Sequence, residues 1–319
     1  MIDRCGRTIT YLRISVTEKC NLKCMYCDPD GENCVQEAEA TLSPEKIEAI
    51  VRSMAKIGIK KVRITGGEPL VRRDICDIVA RVASVEGIED VSMTTNGINL
   101  KRYAKQLKEA GLGRLNISMD SLKEDRFAMI TGGGRLNKVL EGIDAALEAG
   151  LVPVKINTVL VRGINDDEID DFIALTKDRP LECRFIELMP IGPYGEENGD
   201  KVIPSSEIID ARPDLVYLKK SDKGAPAEYY RMKGHLGKVG FISPMSHKFC
   251  NDCNRIRLTS DGKIRPCLGN NGEVDLMEVL DHYPEKLDEF IKNIIYNKPE
   301  GHHFGEDYTS SRHMNRIGG

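Results

Sequence analysis

Residues 11–27 read YLRISVTEKCNLKCMYC, and this stretch decides the fold. Its alternating apolar residues predict a β-strand over residues 11–16. Three cysteines follow directly, Cys20, Cys24 and Cys27, with the spacing Cys-x3-Cys-x2-Cys. A [4Fe-4S] cluster held by protein alone takes four thiolates, so a loop that offers three leaves one iron for another ligand. The stretch therefore predicts an open iron-sulfur site directly after a strand.

Two other interpretations of these cysteines are a structural zinc site and a disulfide remnant. A zinc site normally pairs two short Cys or His spacings, and the sequence offers no second pair nearby. The nearest further thiol, Cys34, follows the turn-like run Asp30-Gly31-Glu32-Asn33, which favours a loop thiol over a fourth ligand. The open cluster is therefore the preferred interpretation.

The run Gly66-Gly67-Glu68-Pro69 follows the second predicted strand. Glycine permits close backbone approach, and a glutamate carboxylate accepts hydrogen bonds from an ammonium group. With the three-cysteine loop before it, this run resembles the second motif of the radical S-adenosylmethionine superfamily. The resemblance implies that S-adenosylmethionine binds the open iron, and that Gly67 and Glu68 contact its methionine part.

The composition is that of a globular enzyme. The chain has 319 residues and 40% hydrophobic content, enough for the core of a barrel-sized domain and an appendage. Its net charge of -4 gives no general attraction to nucleic acid or to an anionic membrane. No apolar run approaches the roughly 20 residues of a membrane span, and the N-terminus lacks a signal-peptide pattern. We expect a cytoplasmic protein whose ten cysteines serve metal or redox chemistry.

Six apolar, strand-like runs alternate with helical patterns in the first part of the chain. The runs are residues 11–16, 61–65, 91–95, 115–120, 154–161 and 183–188. Apolar residues recur at helical spacing over residues 47–57 and 136–147, and Ser43-Pro44 is a typical helix start. Repeated βα units predict parallel strands with functional loops at their C-terminal ends. We predict an α/β fold, an incomplete (β/α)6 TIM-type barrel of parallel strands over residues 1–200.

The polar faces of these strands predict a bound anion. Arg13, Lys61 and Arg63 alternate with apolar residues that would pack against helices, so their side chains should face the barrel interior. Lys155 and Arg184 extend the set on later strands. Buried cations need partners, and a polyphosphate fits best. Two alternatives stay open: some polar faces lie in water, or internal carboxylates pair the cations.

The C-terminal part has a different pattern. Residues 192–201, rich in Gly and Glu, predict a linker or surface loop, and a short helix is expected at Ser206. Residues 229–232 with 238–243, and residues 255–259 with 263–267, predict two hairpins. We predict a smaller C-terminal α+β cluster-binding region over residues 201–319.

A second set of three cysteines lies in this region: Cys250, Cys253 and Cys267. His247 precedes the set by three residues and could complete a Cys3His zinc site. On spacing alone, zinc and a second iron-sulfur cluster fit equally well.

The residues around the second set carry a closer resemblance. Residues 253–267 read CNRIRLTSDGKIRPC, and with KVRITGGEP at 61–69, NISMDSL at 116–122 and MNRIGG at 314–319 they resemble the GTP 3',8-cyclase family. The resemblance covers almost the whole chain. It implies a second [4Fe-4S] cluster, and a lyase that cyclises GTP to (8S)-3',8-cyclo-7,8-dihydroguanosine 5'-triphosphate in molybdenum cofactor biosynthesis. It also implies a 5'-deoxyadenosyl radical that removes hydrogen from ribose C3' of GTP.

The resemblance assigns roles to single positions. The implied S-adenosylmethionine contacts are Tyr26, Gly67, Glu68, Ser118 and Met189. The implied GTP contacts are Arg13, Lys61, Arg63, Thr94, Lys155, Arg184, Arg255, Ile256 and Arg257. The implied catalytic residues are Arg13, Arg255 and Arg257. The implied cluster ligands are Cys20, Cys24, Cys27, Cys250, Cys253 and Cys267.

The resemblance further implies partners. GTP is the expected substrate, a cyclic pyranopterin monophosphate synthase the expected downstream enzyme, and a flavodoxin or ferredoxin the expected electron donor. The terminal Gly318-Gly319 is expected to order near Arg13 when substrate binds. The oligomeric state stays open, with a homodimer as one option. Two rival interpretations are another auxiliary-cluster radical enzyme, such as a peptide maturase, and a non-enzymatic metal-binding module.

Overall fold

The computed structural model describes residues 1–28, 41–220, 222–304 and 308–318. Cys34 and Gly319 lie outside these residues, so the interpretations given to them stay predictions.

Six parallel strands form the centre of the fold. They are β1 Tyr11–Ser15, β2 Lys61–Thr65, β3 Asp90–Thr95, β4 Arg114–Ser118, β5 Val154–Leu160 and β6 Leu181–Glu187. Each pairs in parallel with the next, in chain order. The helices between them are α1 Pro44–Lys56, α2 Ile75–Ser84, α3 Leu100–Glu109, α4 Glu124–Thr131, α5 Leu136–Glu148 and α6 Ile169–Ala174. The partial barrel of parallel strands is confirmed.

Local sequence explains these elements. The α1 helix begins where predicted, because the Ser43 hydroxyl accepts a hydrogen bond from the Lys46 backbone N–H at 3.3 Å and a proline occupies the first turn. In β1 and β2 the alternate residues Leu12, Ile14 and Val62 are fully buried in the core between strands and helices. This packing turns the intervening polar residues toward the concave side of the sheet.

The C-terminal part contributes further helices and strands. The helices are α7 Gly192–Glu197, α8 Ser205–Asp210, α9 Met277–His282, α10 Leu287–Tyr296 and α11 Met314–Ile317. The strands are β7 Leu215–Leu218, β8 Glu228–Met232, β9 Lys238–Ile242, β10 Arg255–Leu258, β11 Lys263–Arg265 and β12 Val274–Asp275. Both predicted hairpins form, β8 with β9 and β10 with β11.

The prediction of a linker over residues 192–201 is wrong. The segment forms α7 and a short 3-10 helix at Gly199–Lys201. Its glycines suggested a loop, but Gly195 serves close packing, since a Cβ there would lie 2.2 Å from the Met189 carbonyl oxygen. A proline in the first turn then favours the helix.

The C-terminal strands join both sides of the barrel sheet. In the twelve-stranded sheet, β10 lies parallel beside β1, and β9 lies parallel beside β6. Arg13 is therefore the register partner of Arg257, and Arg184 that of Gly240. The division into domains at residue 200 stays a prediction, since one sheet runs through both parts. Among the described residues, no helix is both long and apolar enough to cross a membrane.

Candidate active site

One cavity occupies the concave side of the sheet and reaches both cysteine sets. From the partial barrel it is lined by Arg13, Cys20, Cys24, Tyr26, Cys27, Arg63, Gly67, Thr94, Ser118, Arg184 and Met189. From the C-terminal part it is lined by Cys250, Cys253, Arg255, Arg257, Cys267, Lys298, His302, Met314 and Asn315. The structure thus gathers most of the predicted site residues around a single space.

The first cysteine set forms a loop directly after β1. Backbone groups shape it: the Leu22 N–H donates to the Cys20 sulfur at 3.4 Å, and the Cys27 N–H donates to the Cys24 carbonyl at 2.9 Å. Burial, and then the neighbouring Cys20, raises the pKa of the Cys27 thiol to about 12. Three thiols face one cavity with no disulfide between them, which fits a donor set completed by a cationic iron centre.

The Gly-Gly-Glu-Pro loop packs against the backbone that leads into the cysteine loop. Gly67 N–H donates to the Thr17 carbonyl at 2.7 Å, and a Cβ at Gly67 would lie 2.3 Å from the Lys19 carbonyl oxygen. The glycine is needed because the two backbones touch. This backbone packing requires a glycine at position 67 whether or not a cofactor binds there.

Glu68 has a different environment from the one expected. Its carboxylate is buried and accepts hydrogen bonds from the Leu70 N–H, the Thr95 hydroxyl and the Asn96 N–H, at 3.0, 2.7 and 2.7 Å. Burial raises its pKa to about 7 despite these donors. Glu68 is absent from the described lining of the cavity. The carboxylate anchors the β2 loop to the end of β3, and its expected contact with a ligand ammonium stays a prediction.

Tyr26 and Asp120 form a buried pair at the cavity wall. The Tyr26 hydroxyl donates to the Asp120 carboxylate, which also accepts from the Val159 N–H at 2.7 Å. Burial raises the pKa of Asp120 to about 6, and burial together with Asp120 raises that of Tyr26. The pair fixes the Tyr26 ring beside the cysteine loop, where Ser118 and Met189 complete the wall.

Five arginines line the cavity: Arg13, Arg63, Arg184, Arg255 and Arg257. Within the described part of the chain none of the five forms an ion pair, and the Nε atoms of Arg13 and Arg257 are buried with no hydrogen-bond partner. Burial and the neighbouring guanidinium groups lower the pKa of Arg13 and of Arg257. Such a cluster calls for an anionic ligand.

The parallel register explains the cluster. Arg13 on β1 lies between its register partners Arg63 on β2 and Arg257 on β10. Arg184 is held on β6 by amide oxygens, since its Nε donates to Asn157 at 2.8 Å and its Nη2 to Asn116 at 2.9 Å. Neutral partners leave the charge of Arg184 available to a ligand.

The two predicted lysines differ from the arginines. Lys61 pairs with Asp222 at 2.8 Å, and Lys155 pairs with Glu182 and donates to the Tyr229 hydroxyl at 2.9 Å. The described lining of the cavity includes neither lysine. The alternative of an internal carboxylate partner holds for Lys155, whereas the Lys61–Asp222 pair is partly exposed to water. Sequence reasoning missed Glu182, which alternates to the same face of β6 as Arg184.

Ile256 differs from its neighbours in another way. The side chain is fully buried in the apolar core, because β10 alternates and turns Arg255 and Arg257 to the cavity instead. Any ligand contact at Ile256 would therefore use its backbone.

The second cysteine set also lines the cavity. Burial opposes ionisation of Cys253, but Arg255 and Lys298 outweigh it and lower the pKa of the Cys253 thiol to about 6. The Arg255 Nη2 lies 3.6 Å from the Cys253 sulfur. A cationic, thiolate-favouring environment fits a second iron-sulfur cluster.

His247 does not join this set. Its side chain is exposed and is absent from the described lining of the cavity. His302 and Lys298, which sequence reasoning did not assign to the site, do line it. They lie more than thirty residues beyond Cys267, and nothing in their local pattern marks them as site residues.

The partial barrel and the three-cysteine loop at the C-terminal end of β1 define the class of this protein, the radical S-adenosylmethionine proteins. The family model described as the Radical SAM superfamily matches residues 14–176, and the model described as Molybdenum Cofactor Synthesis C matches residues 181–304. Proteins named GTP 3',8-cyclase from Alkaliphilus oremlandii (strain OhILAs) and Alkaliphilus metalliredigens (strain QYMF) are 49% and 47% identical to this chain over 321 residues. Both matches cover 100% of each chain. The chain belongs to the GTP 3',8-cyclase family.

Solved structures agree on the fold. The crystal structure of Streptococcus suis SuiB bound to S-adenosylmethionine matches with a TM-score of 0.60 and 16% sequence identity, covering 91% of this chain and 68% of that one. The structure of SuiB bound to the precursor peptide SuiA matches with a TM-score of 0.59 and 17% identity, covering 91% and 66%. At this identity the likeness concerns the fold.

Proposed function

We propose that this protein cyclises GTP to (8S)-3',8-cyclo-7,8-dihydroguanosine 5'-triphosphate, the first step of molybdenum cofactor biosynthesis. The observation that carries the proposal is the cluster of five cavity arginines with no carboxylate partner among the described residues. The arginine cluster lines the same cavity as the two open cysteine sets. A nucleoside triphosphate supplies the missing negative charge. Full-length relatives named for this reaction support the same conclusion.

The residues present fit S-adenosylmethionine and two [4Fe-4S] clusters, which the protein uses as cofactors. Cys20, Cys24 and Cys27 would hold the first cluster. The second would be held by Cys250, Cys253 and Cys267. S-adenosylmethionine would lie against Tyr26, Gly67, Ser118 and Met189. When bound, these groups supply one-electron chemistry and a species that abstracts hydrogen, which protein side chains cannot provide.

The arginines bind and orient the substrate. Arg63 and Arg184 stand on the barrel side, where they would hold the triphosphate. Each charge-assisted contact to a phosphate oxygen contributes roughly 1.5–3 kcal/mol. This binding energy fixes the ribose and the purine between the two cysteine sets, so the reacting atoms are held close together. Thr94 adds a hydroxyl to the same wall.

Arg13, Arg255 and Arg257 have the catalytic positions in this proposal. Arg255 packs its guanidinium 5.2 Å over the Phe249 ring and donates to the Gly224 carbonyl at 3.2 Å, so it is fixed beside the second cysteine set. Arg13 and Arg257 keep buried Nε donors for the substrate. Preformed cations in a closed cavity stabilise charge that shifts within the purine during ring closure.

The partners of this step are also proposals. The product would pass to a cyclic pyranopterin monophosphate synthase, and a flavodoxin or ferredoxin would supply the electron. Lys61 and Lys155 would act as outer triphosphate contacts, after exchange of Asp222 and Glu182 for phosphate.

Anaerobic reconstitution tests the proposal. The protein is incubated with S-adenosylmethionine, a strong reductant and either GTP or ATP, and 5'-deoxyadenosine and nucleotide products are measured by mass spectrometry. We expect an isomer of GTP with unchanged mass, formed with GTP and not with ATP. Cofactor cleavage without conversion of GTP would contradict the proposed substrate, and no cleavage by a fully loaded protein would contradict the enzyme class.

A pair of arginine variants tests the anion site through their GTP dissociation constants. Arg63→Met removes a buried cavity cation and should weaken GTP binding at least about tenfold, the equivalent of about 1.4 kcal/mol. Arg73→Met removes an exposed charge nearby and should leave binding unchanged. Equal GTP affinity of the two variants would contradict the assignment of the anion site.

A further inference from the structure

Lys298 is a buried lysine beside the second cysteine set. Its residue is 1% exposed, and its ammonium group donates to the carbonyl of Pro266, the residue before Cys267. Within the described chain it has no carboxylate partner. Lysine is almost never fully buried without a partner, so a negative charge is expected next to it. Lys298, Cys253 and Cys267 line the same cavity. Burial lowers the pKa of Lys298, and these two cysteines oppose that effect.

Arg7 holds Lys298 in this position. The buried Arg7 side chain pairs with Asp3 at 2.7 Å and donates to the carbonyls of Pro299 and Glu300, both at 2.6 Å. The same guanidinium donates to the Cys250 carbonyl at 3.1 Å. One side chain thus ties the segment after α10 to the turn that carries the first cysteine of the second set. These bonds fix the backbone that carries Lys298.

We propose that Lys298 is the fixed positive charge that tunes the iron-sulfur cluster held by Cys250, Cys253 and Cys267. The inference rests on the assignment of that cluster in the proposed function. One-electron reduction adds a negative charge to the cluster and changes no bond. A buried ammonium group nearby favours the reduced state, because the interaction is little screened by water. Lys298 therefore raises the reduction potential, as charge and hydrogen bonding around such clusters do.

The test measures the potential of the second cluster alone. The first set is removed by Cys20→Ala, Cys24→Ala and Cys27→Ala, and Lys298→Met, Lys298→Gln and Lys298→Arg are made in that background. Lys292→Met, which changes an exposed lysine of α10, is the matched control. Iron content is measured after anaerobic reconstitution. The midpoint potential is then obtained by dithionite titration followed by electron paramagnetic resonance.

We expect a more negative midpoint potential for Lys298→Met and Lys298→Gln, with values close to the parent for Lys298→Arg and Lys292→Met. Loss of iron in both neutral variants, with retention in Lys298→Arg, would support the same charge role. An unchanged or more positive potential in the neutral variants, or loss of iron in all three Lys298 variants, would overturn it. If the parent without the first set binds no cluster, the proposed second cluster site fails and the inference fails with it.

Discussion

Lys155 shows how strongly a single neighbour changes the role of an inward-facing cation. The side chain is held by Glu182 and by the Tyr229 hydroxyl, and its ammonium lies 5.2 Å from the centre of the Tyr229 ring. Glu182 also pairs with Lys238 at 3.5 Å. Arg63 faces the same interior, and no carboxylate of the described residues pairs with it. The protonation state of Lys155 therefore depends on its neighbours, whereas Arg63 stays positively charged.

This difference predicts a pH dependence of GTP binding. Burial, opposed by Glu182, lowers the pKa of Lys155 to about 8. The ammonium form exists below that pH and is lost above it, so GTP affinity should fall from about pH 7 to about pH 9. Loss of one charge-assisted contact corresponds to roughly tenfold in the dissociation constant. Titration calorimetry across this range measures it.

The matched variant for this prediction is Lys155→Arg, because a guanidinium keeps its charge over the whole range. Its GTP affinity should change less with pH than that of the parent. Identical pH profiles for the two proteins would contradict a role of Lys155 in holding the substrate.

At the residue level the sequence predicts well which strand residues face the cavity, and poorly which side chains pair with them. Arg13 and Arg63 are expected to face inward because apolar neighbours alternate with them, and Arg184 is expected to join them from a later strand. All three line the cavity. The partners of Lys61 and Lys155 were not predictable, because Asp222 lies on a remote loop and Glu182 becomes a neighbour only through the pairing of β5 with β6. The alternation of side chains along one strand can be found in a short stretch of sequence, whereas the pairing of two strands cannot.

The loop after β2 is the element that couples strand geometry to the cysteine loop. Gly66 and Gly67 lie against the backbone of residues 17–19, and Glu68 ties the same loop to the end of β3. The position of Cys20 therefore depends on the close backbone packing of these two glycines. Such close backbone contact tolerates no side chain.

Gly67→Ala should displace the cysteine loop. A Cβ would lie 2.3 Å from the Lys19 carbonyl and 2.5 Å from the Glu18 carbonyl, so the backbone must move. Overpacking of this kind costs about 1–3 kcal/mol. We expect a lower urea midpoint and reduced iron bound by the first set, measured by denaturation and iron analysis.

Gly199→Ala is the control for this substitution, since a Cβ at Gly199 meets no atom within 4 Å. It should keep both stability and iron content. If Gly67→Ala bound iron and unfolded like Gly199→Ala, the loop would not support the cluster site.

The prediction of secondary structure failed at residues 192–201, where the amino-acid composition suggested a loop. The Gly- and Glu-rich residues 192–201 suggested a linker, yet they form α7 and a 3-10 helix. The helical spacing of α1 and the alternation of β2 gave bounds close to the structure, because both elements bury one regular face. α7 has only six residues, too few for a periodic signal.

At the scale of the whole molecule, the site depends on pairings between distant parts of the chain. Tyr11 on β1 pairs in register with Arg255 on β10, and this parallel pairing brings the second cysteine set to the cavity. Parallel pairing across such a separation leaves no local pattern in the sequence. The family resemblance could imply a shared site, but the residues alone could not show which strands meet.

The C-terminal segment forms part of the cavity wall. Met314 and Asn315 line the cavity, and the Asn315 amide donates to the Asp28 carboxylate at 3.3 Å. Gly318 has φ +83° and touches the barrel mouth, where a Cβ would lie 2.9 Å from the Thr65 methyl group. Only an unsubstituted residue fits this contact easily, so the segment is seated by Gly318.

Gly318→Ala should therefore unseat the segment and open the cavity to water. Gly234 has φ +82° and open space around it, so Gly234→Ala imposes the same backbone strain without the contact at the barrel mouth. We expect Gly318→Ala to form roughly tenfold less cyclised product per 5'-deoxyadenosine released, because small displacements near reacting atoms are costly. Gly234→Ala should form as much cyclised product per 5'-deoxyadenosine as the parent does. Equal coupling in both variants, measured by mass spectrometry under the same reduction, would show that the segment is seated by other contacts.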